Sequence, residues 1–130
     1  MSGPRESRVT EDRGRQLTYI LILYLPKKRR IKVGRLGLLT FESGLYFYVG
    51  SGGRSPFKRL RRHVTKAKKK FWHIDFLTVH STVIGAMIVE SNISLECSLA
   101  RALGDVFTPV RGFGSSDCKC TSHLFLARSR

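Results

Sequence analysis

At 130 residues the chain has the length of one domain, and 42% apolar residues are enough to fill one hydrophobic core. Its 24 Lys and Arg against 9 Asp and Glu leave a formal charge of +15, more than solubility requires, so the expected partner is a polyanion. Membrane spanning is excluded as an expectation, because the longest apolar run, residues 17–25 (LTYILILYL), is well short of the roughly 20 residues a helix needs.

The N-terminal residues mix both charges without an apolar segment, so no secretory signal is expected. Cys97, Cys118 and Cys120 are an odd set that suits a reducing compartment better than a disulfide framework. A cytoplasmic or nucleoid-associated protein is the expectation.

Residues 1–15 carry Gly3, Pro4 and Gly14 among polar neighbours and read as a mobile basic tail, with a single domain over 16–130. Residues 17–25 predict a buried strand that ends at Pro26, and a hairpin is expected to follow the run of basic residues 27–30. Gly34, Gly37 and Gly44 punctuate short strands that lead into the aromatic strand 45–49 (LYFYV). The loop 50–53 (GSGG) then precedes Ser55-Pro56, where Ser caps and Pro takes the first position of a helix predicted over 56–69. Phe57, Leu60 and Val64 form its apolar stripe.

Further on, residues 71–79 predict a short helix or turn, and 82–89 (TVIGAMIV) another buried strand. Residues 94–103 predict a helix capped by Ser94 and stopped by Gly104. A Gly- and Ser-rich loop follows Pro109, and residues 124–127 predict an edge strand. The expected architecture is α/β of the α+β kind: a small antiparallel central sheet of three strands flanked by helices.

The densest information lies in residues 48–63, YVGSGGRSPFKRLRRH: a strand end, a small-residue loop and a basic helix. Arg59 and His63 stand four residues apart and share one helical face. This segment resembles the second half of the GIY-YIG endonuclease module, whose strand-ending glycine is followed by a helical arginine facing the scissile phosphate. Arg59 falls at that place, one residue later than usual. Tyr19 matches the family's first tyrosine and Tyr48 the second, with Leu17 where glycine is usual. The helix LECSLARAL resembles the one that carries the family's metal-binding glutamate, here Glu96. The asparagine usual after the following proline is absent; Asp117 is its nearest stand-in. The pattern of Tyr19, VGRLG, YVGS, WHID, ECSLARAL and GFGSSDCKCTSHLF is closest to a branch of uncharacterised GIY-YIG-related domains, some joined to a base-excision repair glycosylase. The resemblance covers residues 17–125.

This resemblance implies a GIY-YIG-like fold and a metal-dependent DNA endonuclease or nicking enzyme acting in repair or processing. It makes Tyr19, Tyr48, Arg59, His63 and Glu96 the catalytic set. Phosphodiester hydrolysis needs a cation at the phosphate, a base or positioned water, and a divalent ion, which Arg59, Tyr19 or Tyr48, and Mg²⁺ or Mn²⁺ on Glu96 would supply. One carboxylate is a sufficient anchor for a hard cation that keeps its waters. Arg54, Lys58, Arg61, Arg62, Lys66, Lys68, Lys69 and Lys70 are the expected nucleic-acid contacts, with DNA the first partner, structured RNA the second, and a repair protein a further one.

Plainer readings stand beside these. Tyr19 and Tyr48 also read as core tyrosines, Glu96 as an acidic residue favoured by a helix N-terminus, and the arginines as solvated charges. The alternative function is a non-catalytic DNA or RNA binding module with a degenerate site. Cys97, Cys118, Cys120 and His123 offer the donors of a Cys₃His zinc site, but a C-x-C pair is tighter than the usual spacing, and packing is the preferred reading. His73 and Asp75 share a face if extended and diverge on a helix; two readings stand, that both line the basic cleft or that Asp75 pairs with Arg61 or Arg62.

Overall fold

The computed structural model describes residues 16–53, 57–66, 69–70, 72–115 and 118–129. The tail 1–15, the cap Ser55-Pro56 and Asp117 lie outside the described residues. In chain order the elements are β1 (Gln16–Leu25), β2 (Arg29–Lys32), a 3₁₀ turn (Gly34–Leu36), β3 (Leu38–Phe41), β4 (Gly44–Gly53), α1 (Phe57–Val64) and α2 (His73–Thr78). Then come β5 (Thr82–Ser91), α3 (Glu96–Val106), β6 (Phe107–Pro109) and β7 (Leu124–Ser129).

The class is α+β, as expected, but the main sheet has five strands rather than three, in the order β5-β1-β4-β7-β6 with every pair antiparallel. The hairpin expected after Pro26 forms the separate ribbon β2-β3. β6 is only three residues long and carries Pro109, which is why no strand pattern announced it.

Apart from Gln16 and Thr18, β1 is apolar, because both of its faces are covered over most of its length; Tyr24 is exposed. Tyr19, Leu21, Leu23 and Leu25 point to a core shared with Ile74 and Leu77 of α2, Ile31 and Phe41 of the ribbon, and Phe113. Ile20 points to the opposite core, where Ala100, Leu99 and Leu103 of α3 pack on Val49 and Phe125. The sheet is therefore a middle layer.

Local expectations in four elements are corrected. The strand over 82–89 forms but is not buried: β5 is a sheet edge, and Ile84 (55%), Met87 (55%) and Ile88 (44%) are exposed. A β-branched run records strand propensity, and among the described residues only β1 pairs with it. β7, expected at an edge, lies between β4 and β6. α3 runs through Gly104 to Val106, and Gly104 packs near Phe125, whose Cε1 would make an ordinary 3.4 Å contact with an added Cβ. Leu95, not Ser94, occupies its N-cap position, without a side-chain cap. In α1 the helix ends at Val64, and Phe57 (67%) and Val64 (53%) face outward while His63 is fully buried. The aromatic cluster beneath His63 sets the rotation of this helix, not the Phe-Leu-Val stripe.

Candidate functional site

Tyr19 of β1 pairs across the sheet with Gly50 of β4. A Cβ at Gly50 would overlap the ring and hydroxyl of Tyr19, so the glycine lets the phenol lie over the neighbouring strand. Gly114 does the same for Tyr48: it has φ +70, and a Cβ there would sit 3.1 Å from Tyr48 Cε1. The two tyrosine rings lie 6.4 Å apart at 50°.

His63, brought in by α1, fills the space behind this pair. Its Nε2 is 2.8 Å from the Tyr19 hydroxyl in a buried hydrogen bond, and its ring is 5.5 Å from Tyr19, 6.2 Å from Tyr48 and 6.3 Å from Trp72. One turn earlier Arg59 lies over Trp72, 5.1 Å from the ring centre, and donates to the carbonyl of Ser51. Arg62 lies 5.2 Å from the same ring. Trp72 is a half-buried platform for two guanidinium groups.

Glu96 opens α3. Its Oε1 lies 3.0 Å from His123 Nδ1, an ion-pair contact rather than an aligned hydrogen bond, and its side chain is 29% exposed. Tyr19, Tyr48, Arg59 and Glu96, together with Gly50, Ser51 and Trp72, line a single cleft of about 360 Å³. Cys97, Gly114, Cys118 and His123 complete its wall. His63, the fifth member of the expected set, does not line the cleft; it touches it through Tyr19.

Burial raises the Tyr19 hydroxyl far above the ordinary phenol value, with the charge of Tyr48 adding to it and Arg59 opposing. Burial, then Glu96, does the same to Tyr48. Both are neutral phenols at physiological pH, able to donate a hydrogen bond or to accept one.

His73 and Asp75 diverge. On α2 His73 Nδ1 accepts from the Gly114 N–H at 2.9 Å, while the fully buried Asp75 accepts from Arg62 Nη2 at 2.8 Å and from the Trp72 N–H at 2.8 Å. Asp75 thus caps α2 and ties it to α1. Among the expected nucleic-acid contacts, Lys58, Arg61, Lys69 and Lys70 are exposed. Lys66 donates to the carbonyls of Thr78 at 2.7 Å and of Ser81, closing the C-terminal end of α2. Arg62 also reaches the carbonyl of Lys69 at 2.6 Å. Arg54 and Lys68 lie outside the described residues.

Sequence reasoning passed over Ser51, Gly114 and the orienting partner of Glu96. Gly114 had a signal in the GFGSS loop. The contact between His123 and Glu96 had none, since the two residues belong to different elements.

Sheet, helices and cleft define a small α+β domain whose opposed tyrosines, arginine and glutamate converge at one opening. The model of the family described as domain of unknown function DUF123 matches residues 18–130, and the chain belongs to that family. No curated protein and no solved structure matches the chain. No helix among the described residues is long and apolar enough to cross a membrane.

Proposed function

We propose that this protein is a divalent-metal-dependent nuclease of the GIY-YIG kind that hydrolyses a phosphodiester bond in DNA, in repair or processing. The observation that carries the reading is the convergence of Tyr19, Tyr48, Arg59 and Glu96, from β1, β4, α1 and α3, on one cleft.

In this reading Arg59 binds the scissile phosphate and offsets the charge that develops on it. Water attacks phosphorus, the bond to the leaving oxygen breaks, and that oxygen takes a proton from solvent water to leave as a hydroxyl. The Tyr19 oxygen takes the proton of that water as its own proton passes to His63 Nε2, along the existing hydrogen bond. Tyr48 donates to a phosphate oxygen. Among the described residues Glu96 is the sole carboxylate that lines the cleft, and it is partly exposed, which fits a Mg²⁺ or Mn²⁺ ion that keeps most of its waters. Such an ion would supply charge neutralisation at the phosphate. Lys58, Arg61, Lys69 and Lys70 would add phosphate contacts that hold the duplex. A repair protein as partner, and a place in the cytoplasm or nucleoid, follow from the same reading.

A second reading, a nucleic-acid binding module without cleavage, is favoured by two observations: Glu96 already contacts His123, and Leu17, where the resembled family has glycine, is a buried core residue. Incubating nicked, branched and damaged duplexes and structured RNA with the protein and Mg²⁺ or Mn²⁺ separates the two. The nuclease reading expects a metal-dependent cut in at least one DNA substrate. Salt-sensitive binding without a cut under any metal would favour the module.

A further inference from the structure

The cleft shares a wall with a cluster that phosphodiester hydrolysis does not use. Cys97 is the second residue of α3, while Cys118, Cys120 and His123 come from the segment that leads into β7. One ligand atom from each of the four lies within 4.8 Å of the other three. All three cysteines are free thiols, and Cys118 Sγ is 3.3 Å from His123 Nε2. With Zn–S bonds of about 2.3 Å and Zn–N bonds of about 2.0 Å, the edges of a tetrahedron are roughly 3.5–3.8 Å long, so the four donors stand close to a coordination shell.

We propose that Cys97, Cys118, Cys120 and His123 bind a single structural Zn²⁺ ion that clamps the start of α3 to the loop before β7. Three thiolates and an imidazole are soft to borderline donors that suit Zn²⁺ and not Mg²⁺ or Ca²⁺, and four protein ligands leave no open position for chemistry. The tight C-x-C spacing is no obstacle here. Residues 118–121 carry no regular structure, so the two thiols can turn inward together, and the third arrives from a helix remote in sequence.

The imidazole supports the assignment. Its Nε2 faces the thiols while Nδ1 faces the Glu96 carboxylate at 3.0 Å, and a carboxylate on the far nitrogen is what orients a metal-bound histidine. Glu96 also lines the tyrosine cleft. The zinc site therefore fixes the loop that holds Gly114 and His123, and through His123 it sets the position of the cleft carboxylate. The clamp does not depend on the nuclease reading, because a binding module would need the same wall.

The test uses the full chain, purified under reducing conditions without chelator, with metal content measured by plasma mass spectrometry. One zinc per chain is expected. Exchange with Co²⁺ should give the visible ligand-field and thiolate charge-transfer absorption of a tetrahedral sulfur-rich site. Cys97→Ser and Cys120→Ser should lose stoichiometric zinc, and Glu96→Gln should keep it with affinity weakened about 10–100-fold. Because a cysteine variant can fail to fold, the wild-type chain provides an independent readout: a chelator should release zinc and expose three thiols to a thiol reagent together. The proposal is overturned if the reduced chain neither carries nor takes up Zn²⁺ and its thiols react at the same rate with or without the metal. A disulfide between any two of these cysteines in protein kept reduced would also overturn it.

Discussion

Tyr19 and His63, 44 residues apart in the chain, meet through a buried 2.8 Å hydrogen bond between the phenol oxygen and Nε2. The contact fixes the rotation of α1 and aims the Tyr19 oxygen along the cleft. Tyr19→Phe should leave the fold intact, cost about 1–3 kcal/mol because a buried nitrogen loses this partner, and abolish cleavage. Urea denaturation measures the first effect and a nicking assay the second. A variant of wild-type stability and activity would remove Tyr19 from the account.

Gly50 should be intolerant of any side chain. Gly50→Ala overlaps the Tyr19 ring and should cost about 1–3 kcal/mol, as overpacking does. In the double variant with Tyr19→Ala the two costs should fall short of their sum, since the overlap is gone. Additive costs in thermal or urea melts would place the ring elsewhere.

Arg62 and Asp75 are a buried carboxylate and its cation, 2.8 Å apart, with Asp75 fully buried and the Arg62 side chain 29% exposed. Arg62→Ala removes a hydrogen-bonded cation from that buried carboxylate and should destabilise by about 3–5 kcal/mol. Adding Asp75→Asn should recover part of the loss, because the charge is removed while the amide oxygen still accepts from the Trp72 N–H. A double variant less stable than Arg62→Ala would contradict this.

Burial lowers the pKa of His73 below the ordinary histidine value. The unfolded chain therefore takes up the proton first, and the stability that His73 contributes is lost as pH falls from about 6.5 through the lowered folded value. Protonation at Nδ1 would also end its acceptance from the Gly114 N–H. His73→Asn keeps an acceptor without a charge, so the stability gap between wild type and variant should shift in favour of the variant below about pH 6.5. Melting temperatures across that range check it, and a gap that does not change with pH would refute it.

Lys58 and Arg61 are exposed on α1, while Lys66 holds two carbonyls of the α2 end. Neutralising Lys58 or Arg61 should reduce the salt slope of DNA binding by about one each. Lys66→Ala should instead lower the melting temperature and leave the slope nearly unchanged. A slope change at Lys66 equal to that at Arg61 would move it to the binding face.

Much of this fold was legible because its strands announce themselves: β1 and β4 through β-branched and aromatic runs, and the hairpin through its glycines. The edge position of β5 was not, since Ile84, Met87 and Ile88 have the same propensity whether covered or bare. The rotation of α1 was not either, because a hydrophobic stripe predicts Phe57 and Val64 inward, and only the tyrosine pair explains why His63 is buried instead. For the site, the spacing of Tyr48, Arg59 and His63 was readable along the chain. The approach of Glu96 to His123, and of Cys97 to Cys118 and Cys120, depends on how α3 crosses the sheet, which no local pattern records.

The most direct test of the cleft is Glu96→Gln, compared with wild type on a DNA substrate that the wild type cuts, with cleavage and equilibrium binding measured on the same preparations. Cleavage with Mg²⁺ or Mn²⁺ should fall by at least about 100-fold, a loss of roughly 2.7 kcal/mol of transition-state stabilisation, while binding affinity stays within a factor of about three. Undiminished cleavage by Glu96→Gln would contradict it.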